Sequence, residues 1–173
     1  ACEMRLGVFS FFDGIGGVRQ ALDLIGCEPA AFVCSETDPA AVRVVDSQWP
    51  GTLQLGAVEG IDEEAIWKEL YLKYPLILLW LAGGGFPCQD LSGLHATRRG
   101  MDGKRSSLLS EMLRVIEGGR RFFAGRPVRI AMLGENVSSM DDSDLGRINE
   151  EIGLIPVDAC AGDISWGLRP RLY

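Results

Sequence analysis

Continuous apolar runs alternate with amphipathic stretches along this chain, and that alternation constrains its fold more than any other feature. "LGVFSFF" (6–12), "AAFVCS" (30–35), "LILLWLAG" (76–83) and "PVRIAMLGEN" (127–136) read as strands. "TLQLGAV" (52–58) and "LIPVDACAGD" (154–163) complete a set of six. Their apolar residues run on without a period-two break, the pattern of strands covered on both faces. The stretches between them read as helices: 17–26 with Gly26 as C-terminal cap, 38–49 with Asp38 at N-cap and Pro39 at N1, 62–74 with acids in its first turn, 106–123 and 142–153. Strand–helix alternation repeated about five times predicts an α/β fold, a doubly wound, mostly parallel sheet with helices on both faces.

The chain has 173 residues, enough for one domain with a substantial core. Its longest apolar run, "PLILLWLAGGGF", dissolves into glycine before the roughly 18 residues a spanning helix needs. "MRLGVFSFF" has little positive charge before it and no small-residue cleavage site, so a signal peptide is not expected. Five cysteines (Cys2, Cys27, Cys34, Cys88, Cys160) are widely spaced without a CxxC pair, and His95 is the only histidine. That pattern argues against a zinc cluster and for free intracellular thiols. The net charge of −7 lacks the overall basic footprint of a nucleic-acid binder. Basic clusters at 95–105, 118–129 and 169–171 are local, and solvated surface is an alternative reading of each.

In parallel sheets of this kind ligands bind beyond the carboxyl ends of the strands. "FDGIGG" (12–17) places Asp13 and three glycines between the first strand and the first helix. Glycines permit a sharp turn and close approach of a ligand to the backbone, and the following helix N-terminus favours negative charge. Asp13 would repel a pyrophosphate, whereas a ligand with a positive centre and a carboxylate suits the loop; S-adenosylmethionine has both. The alternative is a plain tight turn. Glu36, at the end of the second strand, is placed to accept two ribose hydroxyls, or is a surface-turn acid.

"GGGFPCQDLSG" (83–93) sets Cys88 behind a proline on a loop. A core thiol belongs on an element among apolar neighbours, whereas a nucleophilic thiolate needs presentation and nearby positive charge. Arg98, Arg99, Lys104 and Arg105 lie just downstream. Glu135 follows the fifth strand, where a thiol and a carboxyl would converge on one substrate; a satisfied cap is the alternative for the Glu135–Asn136 pair.

These segments, in this order, resemble the DNA (cytosine-5)-methyltransferases over nearly the whole chain. "FSFFDGIGG" resembles the family's cofactor motif, "SETD" its ribose-binding acid, "GGFPCQDLSG" its catalytic loop, and "RSSLLSEMLRVI" the helix that follows. "GENV" resembles the cytosine-binding motif and "LRPRLY" the start of an Arg-x-Arg motif. The resemblance implies a Rossmann-like S-adenosyl-L-methionine-dependent methyltransferase fold. It implies catalytic roles for Cys88, Glu135, Arg171 and Arg169. It implies cofactor contacts at Phe12, Asp13, Gly14, Ile15, Gly16, Gly17, Glu36, Thr37, Ala57, Val58, Gly85, Pro87 and Leu108, and no metal. In such an enzyme Cys88 adds to carbon 6 of cytosine, Glu135 holds N3 and the exocyclic amine, and the arginines hold the base carbonyl or the catalytic loop. The base must leave the duplex to reach the pocket.

Two departures stand out. Ala57 occupies the place of an acid that meets the adenine amine, a loss of about 0.5–1.5 kcal/mol for one hydrogen bond. Leu168 precedes the Arg-x-Arg pair where a glutamine or basic residue is common. The family's target-recognition region and closing helix are expected beyond Tyr173, so residues 1–173 are read as a partial catalytic and cofactor-binding domain. The expectations are a DNA methyltransferase acting on double-stranded DNA, intracellular (nuclear if eukaryotic, cytoplasmic if bacterial). It is not membrane-bound, and it is open to homo- or hetero-oligomerisation with a related methyltransferase. A non-catalytic regulatory relative and a transfer-RNA methyltransferase are the alternatives.

Overall fold

The structure, a computed structural model, describes residues 5–86, 107–160 and 170–173. Seven strands and five α-helices follow in the order β1 (Arg5–Phe11), α1 (Gly17–Leu24), β2 (Ala31–Ser35), α2 (Pro39–Gln48), β3 (Leu53–Gln54), α3 (Glu63–Lys73), β4 (Ile77–Gly85), α4 (Ser107–Phe122), β5 (Arg129–Val137), α5 (Asp142–Ile152), β6 (Asp158–Cys160) and β7 (Pro170–Leu172). They fall into two compact units. One comprises Ala1–Gly84 with Arg114–Leu133, the other Gly85–Leu113 with Gly134–Tyr173.

In the first unit the strand order is β3-β2-β1-β4-β5, with β1 parallel to β2 and β4, and β2 parallel to β3. The period of two along β1 separates its faces. Phe9 and Phe11 are fully buried on one side, stacked at 4.5 Å, and Phe9 meets Trp67 of α3 at 5.4 Å. Trp67 also packs edge-on against Trp80 and Phe123, and donates its indole N–H to Val115 O at 2.8 Å. On the other side Val8 joins Phe32, Cys34, Leu22 of α1 and Val45 of α2. Helices therefore cover the sheet on both faces, as expected of a doubly wound α/β fold. Asp38 and Asp62 cap α2 and α3, accepting backbone N–H bonds at 2.8 Å and at 3.1 and 2.9 Å.

In the second unit the order is β5-β7-β6, and both pairings are antiparallel. This differs from the sequence expectation in two ways. The run 154–163 gives only Asp158–Cys160 as strand among the described residues, and Leu154, Ile155 and Val157 are exposed. Residues 170–172, read from sequence only as a motif, are a strand in their own right. The third strand is also shorter than expected: a left-handed Gly56 turns the chain away after Gln54, and 58–60 form a 3-10 turn. Among the described residues no helix is long and apolar enough to cross a membrane.

The glycine run at the end of β4 has a steric cause. A side chain on Gly84 would strike the backbone carbonyl of Phe11.

Candidate functional site

In the first unit, β1 ends in a turn that departs from strand geometry at once. Phe12 has φ 52° and Gly14 and Gly16 are also left-handed. A bulky residue in that region is strained, a cost that persists where surrounding contacts fix the loop. They do so here: Phe12 N–H donates to Ser35 O at 2.8 Å, and Gly16 N–H to Asp13 O at 3.1 Å. Gly16 lies against the Trp49 indole with no room for a Cβ, and that indole is itself held by Asp23 Oδ2 at 2.7 Å.

Glu36 closes the turn from β2. Its Oε2 accepts the Gly14 N–H at 2.8 Å, and its Oε1 accepts Thr37 N–H at 2.6 Å and Asp38 N–H at 2.9 Å. Ser35 Oγ donates to Gly56 O at 2.7 Å, tying the third loop to the second. In that loop Ala57 is exposed, while Val58 is buried and its carbonyl accepts from Arg114 at 3.4 Å. Thr37 and Ile15 are exposed.

Asp13 is not turned outward toward a ligand's positive centre. It is buried, and Ser10 Oγ donates to its Oδ1 at 2.5 Å. Burial pushes its carboxyl above the ordinary Asp value and the charge of Glu36 adds to the rise, against the lowering effect of Ser10 and Cys34. Cys34 is wholly buried, and burial followed by the charge of Asp13 pushes its thiol far up, which removes it as a nucleophile. Ser10 was not singled out from sequence; a serine inside the apolar run "LGVFSFF" was the available signal.

The turn leaves backbone groups open to a ligand. A Cβ built on Gly14 or Gly17 meets nothing within 4 Å, so backbone is open to close approach. No side chain caps the start of α1, leaving its first N–H groups available to a carboxylate. Glu36 retains acceptor capacity beyond its three N–H bonds.

In the second unit, Gly85, Phe86, Glu135, Asn136 and Arg171 come together. Arg171 Nε lies 2.5 Å from Glu135 Oε1, brought there by the antiparallel register that sets Val137 opposite Arg171. A Cβ on Gly85 would stand 2.5 Å from Glu135 Oε2. Asn136 is buried; its Nδ2 donates to Phe86 O at 3.1 Å and its Oδ1 accepts Val137 N–H at 2.8 Å. Asn136 thus staples the chain two residues ahead of Cys88 to the strand that carries Glu135, a role not assigned from sequence although the Glu-Asn-Val motif contained it. Leu108 is half-buried on α4. Cys88, Pro87 and Arg169 lie outside the described residues.

The pattern of the C-5 cytosine-specific DNA methylases matches residues 6–153. The chain is 34% identical over 133 residues to the type II methyltransferase M2.BsuMI of Bacillus subtilis, covering 77% of this chain and 29% of that protein. It is 27% identical over 154 residues to the DNA (cytosine-5)-methyltransferase DRM1A of rice (Oryza sativa subsp. japonica), covering 78% and 31%. The chain therefore spans about a third of the length of these relatives. Among solved structures, it superposes on a DNA modification methyltransferase encoded within an E. coli prophage with TM-score 0.69 at 21% identity, covering 96% of this chain and 45% of that one. It superposes on S. pombe Dnmt2 with TM-score 0.60 at 19% identity, covering 97% and 47%. These likenesses confirm the methyltransferase-type α/β fold, and the match over residues 6–153 shows that this chain belongs to the C-5 cytosine-specific DNA methylase family.

Proposed function

We propose that this chain is the catalytic and cofactor-binding portion of an enzyme that methylates carbon 5 of cytosine in double-stranded DNA through a covalent adduct on Cys88. The observation that supports this most is the cluster of Glu135, Asn136 and Arg171 around Gly85–Phe86. Cys88 follows Phe86 by two residues in the sequence.

Carbon 5 of cytosine is a poor nucleophile. The Cys88 thiolate forms a bond to carbon 6, and the electron pair of the ring double bond moves to carbon 5, which then attacks a methyl group. S-adenosylmethionine, when bound, supplies that methyl as an electrophile. Loss of the carbon-5 proton expels the sulfur from carbon 6 and restores the ring. Glu135 accepts from the exocyclic amine of a flipped cytosine and shares a proton with N3, and that proton offsets the negative charge building on the ring. Arg171 fixes the Glu135 carboxylate, and Arg169 belongs to the same motif. Phe12–Gly17 receive the cofactor with open backbone, Glu36 takes the ribose, and Thr37, Ala57 and Val58 line its surroundings.

The test is trapping. In the full-length protein, duplex DNA containing 5-fluorocytosine and cofactor should yield a covalent adduct, because the fluorine cannot leave as a proton does. Cys88→Ser should fold and bind cofactor but form none. Full-length protein that binds DNA and cofactor yet never traps would support a regulatory relative instead, the reading that exposed Ala57, without a carboxylate for the adenine amine, favours.

A further inference from the structure

The buried cluster beneath the glycine turn has no part in the methyl-transfer chemistry above. Ser10, Asp13 and Cys34 are 1%, 8% and 0% exposed. Ser10 satisfies Asp13 Oδ1, whereas Asp13 Oδ2 is buried without a hydrogen-bond partner. The groups that bear on this carboxyl are Ser10 from β1, Cys34 from β2 and Glu36 from the turn beyond β2, with Asp46 of α2 acting on Cys34. On α1, Arg19 is paired with Asp23 at 3.0 Å. An ionised Asp13 would therefore sit out of water among neutral and anionic groups, with only a hydroxyl and a weak thiol donor beside it, a costly state for a carboxylate. The same residue is the pivot of the turn, its carbonyl holding Gly16 N–H and its N–H reaching Ser35 O at 3.4 Å.

We propose that Asp13 is a proton latch for the Phe12–Gly17 turn: the neutral acid holds the turn in its cofactor-receiving form, and loss of its proton to solvent loosens the turn and weakens cofactor binding. The proposal rests on the S-adenosylmethionine reading given above. It makes Asp13 a positioning residue that acts through the backbone of Gly14 and Gly16. Burial, which holds the carboxyl above its ordinary range, supports it.

Carbon-13 NMR of the Asp carboxyl carbons follows Asp13 directly in this chain. The amide resonances of Gly14 and Gly16 report the turn, and calorimetry with S-adenosylhomocysteine reports affinity over the same pH series. Asp13 should titrate above the ordinary Asp range, and the glycine amides should shift with the same midpoint. Affinity should fall as pH rises through it, approaching about tenfold per pH unit beyond. Asp13→Asn keeps an acceptor for Ser10 but has no proton to lose, so both its amides and its affinity should be flat with pH. An ordinary Asp13 midpoint, glycine amides indifferent to it, or an Asp13→Asn chain that keeps the wild-type profile overturns the latch. Affinity independent of pH overturns the latch and leaves the cofactor reading standing. Glycine amides that follow Asp13 in a full-length protein with no affinity at any pH uphold the latch on the turn and overturn the cofactor reading.

Discussion

Arg171 and Glu135 form an ion pair at 2.5 Å, joining β7 to the end of β5. Their side chains retain 20% and 29% of their exposure, so solvent screens the pair and its net contribution to stability is small, about 0–1 kcal/mol. Its value lies in orientation: a guanidinium fixes which way the carboxylate points.

Arg171→Ala should consequently separate stability from chemistry. We expect a thermal midpoint within a few degrees of wild type and, in the full-length protein, 5-fluorocytosine trapping slower by roughly 10–100-fold, the range of a lost charge-assisted hydrogen bond. Arg171→Lys should recover only part, since lysine lacks the planar guanidinium. An Arg171→Ala protein that traps at the wild-type rate would remove Arg171 from the catalytic reading.

Adjacent glycines at the end of β4 should fail differently. A methyl group at Gly84 meets the backbone carbonyl of Phe11, which has little room to yield, and Gly84→Ala should lose about 1–3 kcal/mol by denaturant unfolding. A methyl at Gly85 meets the movable carboxylate of Glu135 instead. Gly85→Ala should keep most of its stability and lose trapping rate. Equal loss of stability in both variants would contradict the placement of Glu135 over Gly85.

Ala57→Asp restores a carboxylate at an exposed position in the third loop. Cofactor affinity by calorimetry should tighten by about 0.5–1.5 kcal/mol, or roughly 2–10-fold. Unchanged affinity would show that the adenine amine is met elsewhere.

Glu63 bears on stability alone. Its own backbone N–H holds its carboxyl below the ordinary Glu value; burial opposes that, and Arg114 by hydrogen bond and charge, then Arg121 by charge, lower it further. A lowered folded-state value means stability that is present above the unfolded-state value and is lost as pH falls through the folded one. Glu63→Gln should therefore unfold at lower temperature than wild type at neutral pH, with the gap closing on acidification below about pH 4. A gap that stays constant with pH would rule out the charge as its source.

The first half of the fold was legible because its signals are local. Asp38 with Pro39, and the acids opening α3, mark helix starts by their own chemistry, and the aromatic and aliphatic runs of β1, β2 and β4 need no partner to be recognised. The second half depends on pairing. Leu154–Val157 look like strand by hydrophobicity, yet only 158–160 pair, and β7 has three residues that include a proline and an arginine, with no apolar pattern to reveal it. At the candidate site, residue types were readable and contacts were not. Glu36 reaches Gly14 across 22 positions, and Asp13, which composition places near a ligand, is drawn inward by Ser10, its hydroxyl partner within β1.

Arg171 reaches Glu135 through the pairing of β7 with β5, so the carboxylate meets its guanidinium partner only once two strands distant in sequence have come together. A chain lacking residue 171 could carry every earlier motif and still leave Glu135 without this partner. Glu135 therefore depends on strand pairing, and not on its own motif alone, for its orientation.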